Sequence, residues 1–248
     1  MELLVAAVLL APLALMATAL VVHTLRGAAR ATLLADQEAR MDHAALVLEA
    51  ELGPLASGDG LLAITPARVR FRATRAAGRW CQRDTAGFIV PTLAGTWAAS
   101  RMPVAGRDSV VLELPDSSVA TGYRRVRLAL VAAPTPIACP GGVAGQRVAV
   151  GVLPASPAPS ELFQTEEVVE LAAYVSGGQT WLGLLHLGLG TPIEPVAGPF
   201  APGGVRFDAL DPTGTPTLIP AVASLILIRL VLPGSPPKVR VVQVPLRG

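Results

Sequence analysis

Residues 3–22 form an apolar run of about twenty positions, which as a helix spans roughly 30 Å, the thickness of one hydrocarbon core. Pro12 falls inside the run and removes a backbone hydrogen bond, so the pattern predicts a bend there. The helical pattern then continues. No proline occurs between Arg26 and Leu52, and Gly27 is the only glycine. Leu34, Met41 and Leu48 recur at heptad spacing, and Ala45 and Leu52 extend the stripe. Asp36, Glu38, Arg40, Asp42 and Glu49 lie mostly off it. Gly53-Pro54 stops the pattern. The expectation is one helix over residues 1–53, transmembrane over 1–22 and amphipathic over 23–53, whose second half packs on another element.

Beyond Pro54 the period changes from helical to twofold. Val69, Phe71 and Ala73 alternate with Arg68, Arg70, Arg72 and Thr74, as in a half-buried strand. Val126, Leu128 and Leu130 alternate with Arg125, Arg127 and Ala129 in the same way. "EEVVELAAYVSGGQTWLGLLHLG" predicts a hairpin turning at Ser176-Gly177-Gly178. "GVRFDALDPTGTP" is a strand entering a tight turn, and "SLILIRLVL", apolar on both faces, predicts a central strand. "KVRVVQVPL" closes the chain as a last strand, while "APTPIACPGG" and "LPASPAPSE" read as loops. The fold class is therefore α+β, a long N-terminal helix packed on an antiparallel β-sheet body over residues 54–248.

Composition sharpens this picture in three places. With 52% hydrophobic residues and 15% charged, the 248-residue chain is oily for a soluble protein. The 23 prolines and 24 glycines exclude long helices beyond the first. A net charge of +2 points to neither nucleic acid nor an anionic membrane surface. Cys81 and Cys139 have no metal-like spacing; a body outside the cytoplasm makes them a disulfide, the alternative being two unrelated buried thiols.

Little else points to chemistry. His23, His43 and His186 share no metal-ligand spacing. No G-x-S-x-G elbow, P-loop or G-x-G-x-x-G occurs, and no cofactor is implied. Asp208 and Asp211 suggest calcium or, more simply, turn chemistry at Asp211-Pro212-Thr213-Gly214. Arg68, Arg70, Arg72, Arg75 and Arg79 suggest a nucleic-acid patch or a solvated sheet face, and the scarcity of aromatic residues favours the second. Ala29-Arg30-Ala31 has the form of a cleavage triplet, but the helical pattern runs straight through it.

One residue at the start is out of place. Glu2 leads the apolar run, where a secretory signal would carry basic residues. "ELLVAAVLLAPLAL" resembles the start of a processed prepilin, with Glu2 at the family's glutamate, and the whole arrangement resembles the type IV pilin family. "PIEPVAGPFAPGGVRFDALDPTGTPTLIPAVASLILIRLVL" is similar to the C-terminal region of J-type minor pseudopilins of type II secretion, with Ala209 in place of a tyrosine. Residues 55–160 carry little of the resemblance.

The resemblance implies a non-enzymatic subunit of a pseudopilus or pilus-like filament, single-pass in the bacterial inner membrane with its body in the periplasm. Its partners would be other pilins or pseudopilins through the helix, the prepilin peptidase, and membrane lipid, with no nucleic acid. Glu2 would meet the N-terminal amine of an adjacent subunit. The family is made with a short basic leader ending in glycine, so the reading frame is expected to continue upstream of Met1 into such a segment. Two other expectations remain: a membrane-anchored periplasmic binding protein or enzyme that uses the helix as a tether, and a DNA-uptake pilin.

Overall fold

The computed structural model describes residues 2–55, 59–83, 87–91, 97–99, 101–118, 122–151, 162–188, 190–234 and 236–246, the side chains of residues 2–15, 17–19, 83, 97–99 and 163 excepted. The chain is α+β. Helix α1 (Glu2–Leu52) runs for 51 residues. Its end is set by Gly53, whose N–H closes the last turn on the Glu49 carbonyl at 2.8 Å, and by Pro54, which cannot continue the helix. Two compact units follow from the chain's contacts, Met1–Ala45 and Leu46–Gly248.

The first unit is helix alone, and it exposes large apolar side chains at Met16, Leu20, Val21, Leu25, Leu33 and Leu34. Leu34, expected on a buried stripe, is 61% exposed, whereas Leu48 and Leu52 in the second unit are fully buried. Among the described residues no helix is long and apolar enough to cross a membrane. This overturns the single-pass inner-membrane expectation and the periplasmic location that depended on it. A span needs about twenty consecutive apolar residues. In the part of α1 described with its side chains, His23, Arg26, Arg30, Asp36 and Glu38 follow one another at intervals of six residues or fewer.

In the second unit, β1 (Leu61–Thr65) and β2 (Arg68–Arg79) come first, then the short β3 (Gln82–Arg83), β4 (Gly87–Pro91) and β5 (Trp97–Ala99). Next are β6 (Asp108–Pro115), β7 (Tyr123–Ala129), β8 (Thr135–Ala138) and β9 (Ala144–Ala149). The hairpin of β10 (Leu162–Ser176) and β11 (Gln179–His186) leads to β12 (Glu194–Phe200), β13 (Val205–Leu210) and β14 (Pro216–Thr217). The last two strands are β15 (Leu225–Leu232) and β16 (Lys238–Pro245). The hairpin turns at Gly177 and Gly178, with φ of +59° and +74°, the left-handed pair that a two-residue turn of this hand requires.

The expected single sheet is three antiparallel sheets. The largest has eight strands, ordered β1-β2-β10-β11-β12, with β5 added beside β2, and β6 and β7 beside β10. The others are β14-β13-β15-β16 and β3-β4-β9-β8. Alternation on β2 matches the sequence pattern: Val69, Phe71 and Ala73 are buried, and Arg68, Arg70 and Thr74 are not. β15 is central, paired to β13 and β16, but it buries only one face, through Ile226, Ile228, Leu230 and Leu232. β7 is less regular than its sequence suggests, since Val126 and Leu128 are only half-buried. The "APTPIACPGG" loop contains β8, because Thr135–Ala138 completes an edge of the small sheet beside β9. The "LPASPAPSE" loop lies outside the described residues.

β10 organises the body. It pairs with β2 along its length on one side. On the other side its first part, Gln164–Glu167, pairs with β6, and its second part, Val169–Ser176, with β11. Where β6 gives way to β11 the sheet has a seam, and Glu167 lies at it, opposite Asp108 at the start of β6.

Candidate functional site

The polar residues at this seam form the most heavily charged buried site among the described residues. Glu167 points to the same face of β10 as the buried Val169 and Leu171, and its side chain is fully buried. An unpaired carboxylate there would cost several kcal/mol or take up a proton. Instead it accepts on both oxygens. Oε2 receives Arg75 Nε at 2.8 Å and Arg101 Nη2 at 3.0 Å. Oε1 receives Arg107 Nε and lies 2.7 Å from His186 Nδ1. A carboxylate has about four lone-pair positions, and arginine donors take three of them.

Each partner is placed by a distinct local feature. Arg75 is the extra residue of a β-bulge: Thr165 pairs with Ala76 and Glu166 with Thr74, leaving Arg75 unopposed and turned inward. It also binds Glu51, on the last turn of α1, at 2.9 and 3.0 Å, which ties the helix end to the sheet within the second unit. Arg101 and Arg107 lie on the loop entering β6. Arg101 makes a two-pronged contact with buried Asp108, both bonds 2.6 Å, the fork geometry that suits guanidinium to carboxylate. Val104 N also donates to Asp108, at 2.6 Å.

The charges balance. Arg75, Arg101 and Arg107 supply three positive charges against three negative ones from Glu51, Glu167 and Asp108. Burial pushes the Glu167 carboxyl up, but the bonds from Arg107, Arg75 and Arg101 outweigh it and hold the pKa at about 2. His186 Nδ1 lies 2.6 Å from Arg107 Nη2 as well as beside Glu167. Arginine only donates, so the imidazole proton decides which of the two contacts is a hydrogen bond. Nε2 looks outward, 3.7 Å from Glu194.

The arginines of β2 divide between two faces. Arg68 and Arg70 lie on the half-exposed side and converge on buried Glu170, at 3.2 and 2.8 Å. Arg127 on β7 likewise links Glu166 at 3.0 Å and Asp59 at 2.5 Å. Much of the positive charge seen in the sequence is thus matched by acids from β10. Asp211 holds its turn by accepting from Thr213 N and Thr215 N, each at 2.9 Å, and from the Thr213 hydroxyl at 2.6 Å. Those bonds, the hydroxyl's foremost, draw its pKa below the ordinary carboxylate value. Asp208 pairs with Arg206 on its own strand at 3.0 Å.

Nothing matches this chain among family models, curated proteins or solved structures.

Of the residues singled out from sequence, Cys81 and Cys139 are brought together as a disulfide with Cα atoms 5.9 Å apart. Cys81 immediately precedes β3 and Cys139 immediately follows β8, the two edge strands of their sheet. Phe88, Val90, Val110, Leu112, Leu114, Leu130, Val148 and Val150 form an apolar cluster, and Trp80, next to Cys81 in the chain, packs against it. Glu2 opens α1 and Pro12 falls within it, but their side chains and the expected bend lie outside the described residues. The seam cluster was missed as a unit. Its signal was three glutamates, Glu166, Glu167 and Glu170, in a strand otherwise rich in valine and leucine.

Proposed function

We propose that this chain is a structural subunit of a pilin-like filament of the minor pseudopilin kind, and that it acts by assembly. One observation carries the reading: a continuous helix of 51 residues whose first unit exposes Met16, Leu20, Val21, Leu25, Leu33 and Leu34. Large apolar side chains exposed along one helix favour an interaction role. The sequence resemblance, with Glu2 at the head of the helix, supports the same reading. The seam fits it too, because the buried Glu167 carboxylate is bonded by three arginines of its own chain and serves as a structural tie.

In this reading Glu2 pairs with an ammonium group of the adjacent subunit within an apolar layer, where a lone charge is costly. Glu2→Ala should leave the body's unfolding midpoint unchanged and lower incorporation into filaments by roughly tenfold or more. The measurement is co-sedimentation of the variant with assembled parent subunits. Incorporation at the parent's level would remove Glu2 from the mechanism.

A further inference from the structure

Among the described residues β16 is an edge strand, paired to β15 on one side alone. The alternation of hydrogen bonds fixes which of its backbone groups stay open. Leu246 N donates to the carbonyl of Ser224, directly opposite it, at 2.8 Å, so the even-numbered residues of β16 bond to β15. Val231 N donates to the Gly204 carbonyl at 2.7 Å, which turns the odd-numbered residues of β15 toward β13 and gives the same parity. Val239, Val241 and Gln243 therefore present both N–H and C=O at the free edge. Pro237 and Pro245, which have no N–H, bound this row at its two ends. Its side chains stand on the outer face, where Val239 is 47% and Val241 51% exposed.

An open row of donors and acceptors is a template for another strand. This row is complementary in partial charge to itself. When two copies of β16 run antiparallel about a twofold axis at Val241, that residue lies opposite its own copy, and Val239 lies opposite Gln243. Every open N–H then meets an open C=O. Pro237 falls opposite Pro245, so neither end leaves a donor unpaired. Arg240 lies opposite Val242 and Lys238 opposite Val244, so no like charges meet. Moving the axis to residue 240 sets Arg240 against itself. Moving it to residue 242 sets Val239 against Pro245, which has no N–H for the valine carbonyl. An axis between two residues sets outer-face side chains beside inner-face ones.

We propose that β16 docks antiparallel on β16 of a second copy of this chain, centred on Val241, joining the two four-stranded sheets edge to edge. Such a contact uses the same patch on both copies and closes on itself. It belongs to the body and uses neither Glu2 nor the exposed helix, so it does not rest on the assembly reading.

The test is site-directed crosslinking in the full chain, whose two cysteines are already bonded to each other and leave no free thiol. Directly opposed residues of a hydrogen-bonded pair have Cα atoms about 5.5 Å apart, within the span of a disulfide. V241C should therefore form a covalent dimer under mild oxidation, read on a non-reducing gel. V239C alone should not, because its two copies lie about 14 Å apart along the strands. Nor should Q243C alone, whereas V239C mixed with Q243C should crosslink. V241P removes an N–H that the chain's own sheet does not use, so its urea midpoint should match the parent's while the dimer seen by sedimentation falls roughly tenfold or more. V241C crosslinking no faster than V239C or Q243C alone would overturn the register. A folded V241P that dimerises as the parent does, or a parent that stays monomeric while V241C fails to crosslink, would overturn the edge pairing itself. E2A/V241C should crosslink as V241C does; loss of the crosslink there would overturn the contact's independence of Glu2.

Discussion

Glu167→Ala should lower the stability of the body by about 3 kcal/mol, the low end of the range for removing one member of a buried charged set. The low end applies because the orphaned cations are not equally trapped. Arg75 keeps Glu51, and Arg101 keeps Asp108. Arg107 and His186 lose their shared carboxylate at the seam between β6 and β11. Urea unfolding at neutral pH measures the loss, and a midpoint within error of the parent's would refute the structural role. Pairing Glu167→Leu with Arg107→Met should cost less than Glu167→Ala, because an apolar pair leaves fewer charges without partners.

The same residue sets an acid limb. Its carboxyl has a pKa of about 2 in the folded protein against 4.5 for the free group. A depressed carboxylate adds stability above its unfolded pKa and loses it as pH falls through the folded one. The parent should therefore weaken progressively between about pH 5 and pH 2, and Glu167→Ala should lack that part of the decline.

Local pattern carried much of the fold. The helix end at Gly53-Pro54, the buried alternation of Val69, Phe71 and Ala73, and the Gly177-Gly178 turn all depend on residues within a few positions of one another. What the pattern could not supply was pairing across distance. β10 meets β2 with partners such as Glu170 and Arg70, one hundred residues apart, and nothing in either period names the other strand. Hence the pattern predicts one sheet where three occur, and it presents the arginines of β2 as a solvated face without the glutamates that cross to them. The bulge at Arg75 is a single-residue change of register, invisible to a twofold period, yet it puts that guanidinium in the core. β8 was hidden for the opposite reason: proline and glycine signal a loop, and an edge strand tolerates proline at Pro136. On the helix the apolar run was legible, but its expected placement in a membrane did not hold for the described residues.

Cys81→Ala with Cys139→Ala should cost about 4 kcal/mol, the largest single loss expected in the small sheet. The bond closes a loop of 58 residues, and the chain-entropy model gives about 4 kcal/mol for that length. Alanine is the appropriate replacement because Cys139 is buried, and a serine hydroxyl there would add a desolvation cost of its own. The loop contains β3 to β8, including Arg101, Arg107 and Asp108, so the crosslink restrains in the unfolded chain the same segment that the seam anchors in the folded one. Urea unfolding of the parent, oxidised and then reduced, should show the reduced protein matching the double alanine variant. A difference below about 1 kcal/mol between oxidised and reduced protein would mean that residual structure already restrains the unfolded loop. The two large effects also separate by pH. Neither sulfur in a disulfide titrates, so the cost of losing the bond should be the same at pH 7 and pH 3, whereas the cost of losing Glu167 should shrink as the medium becomes acid.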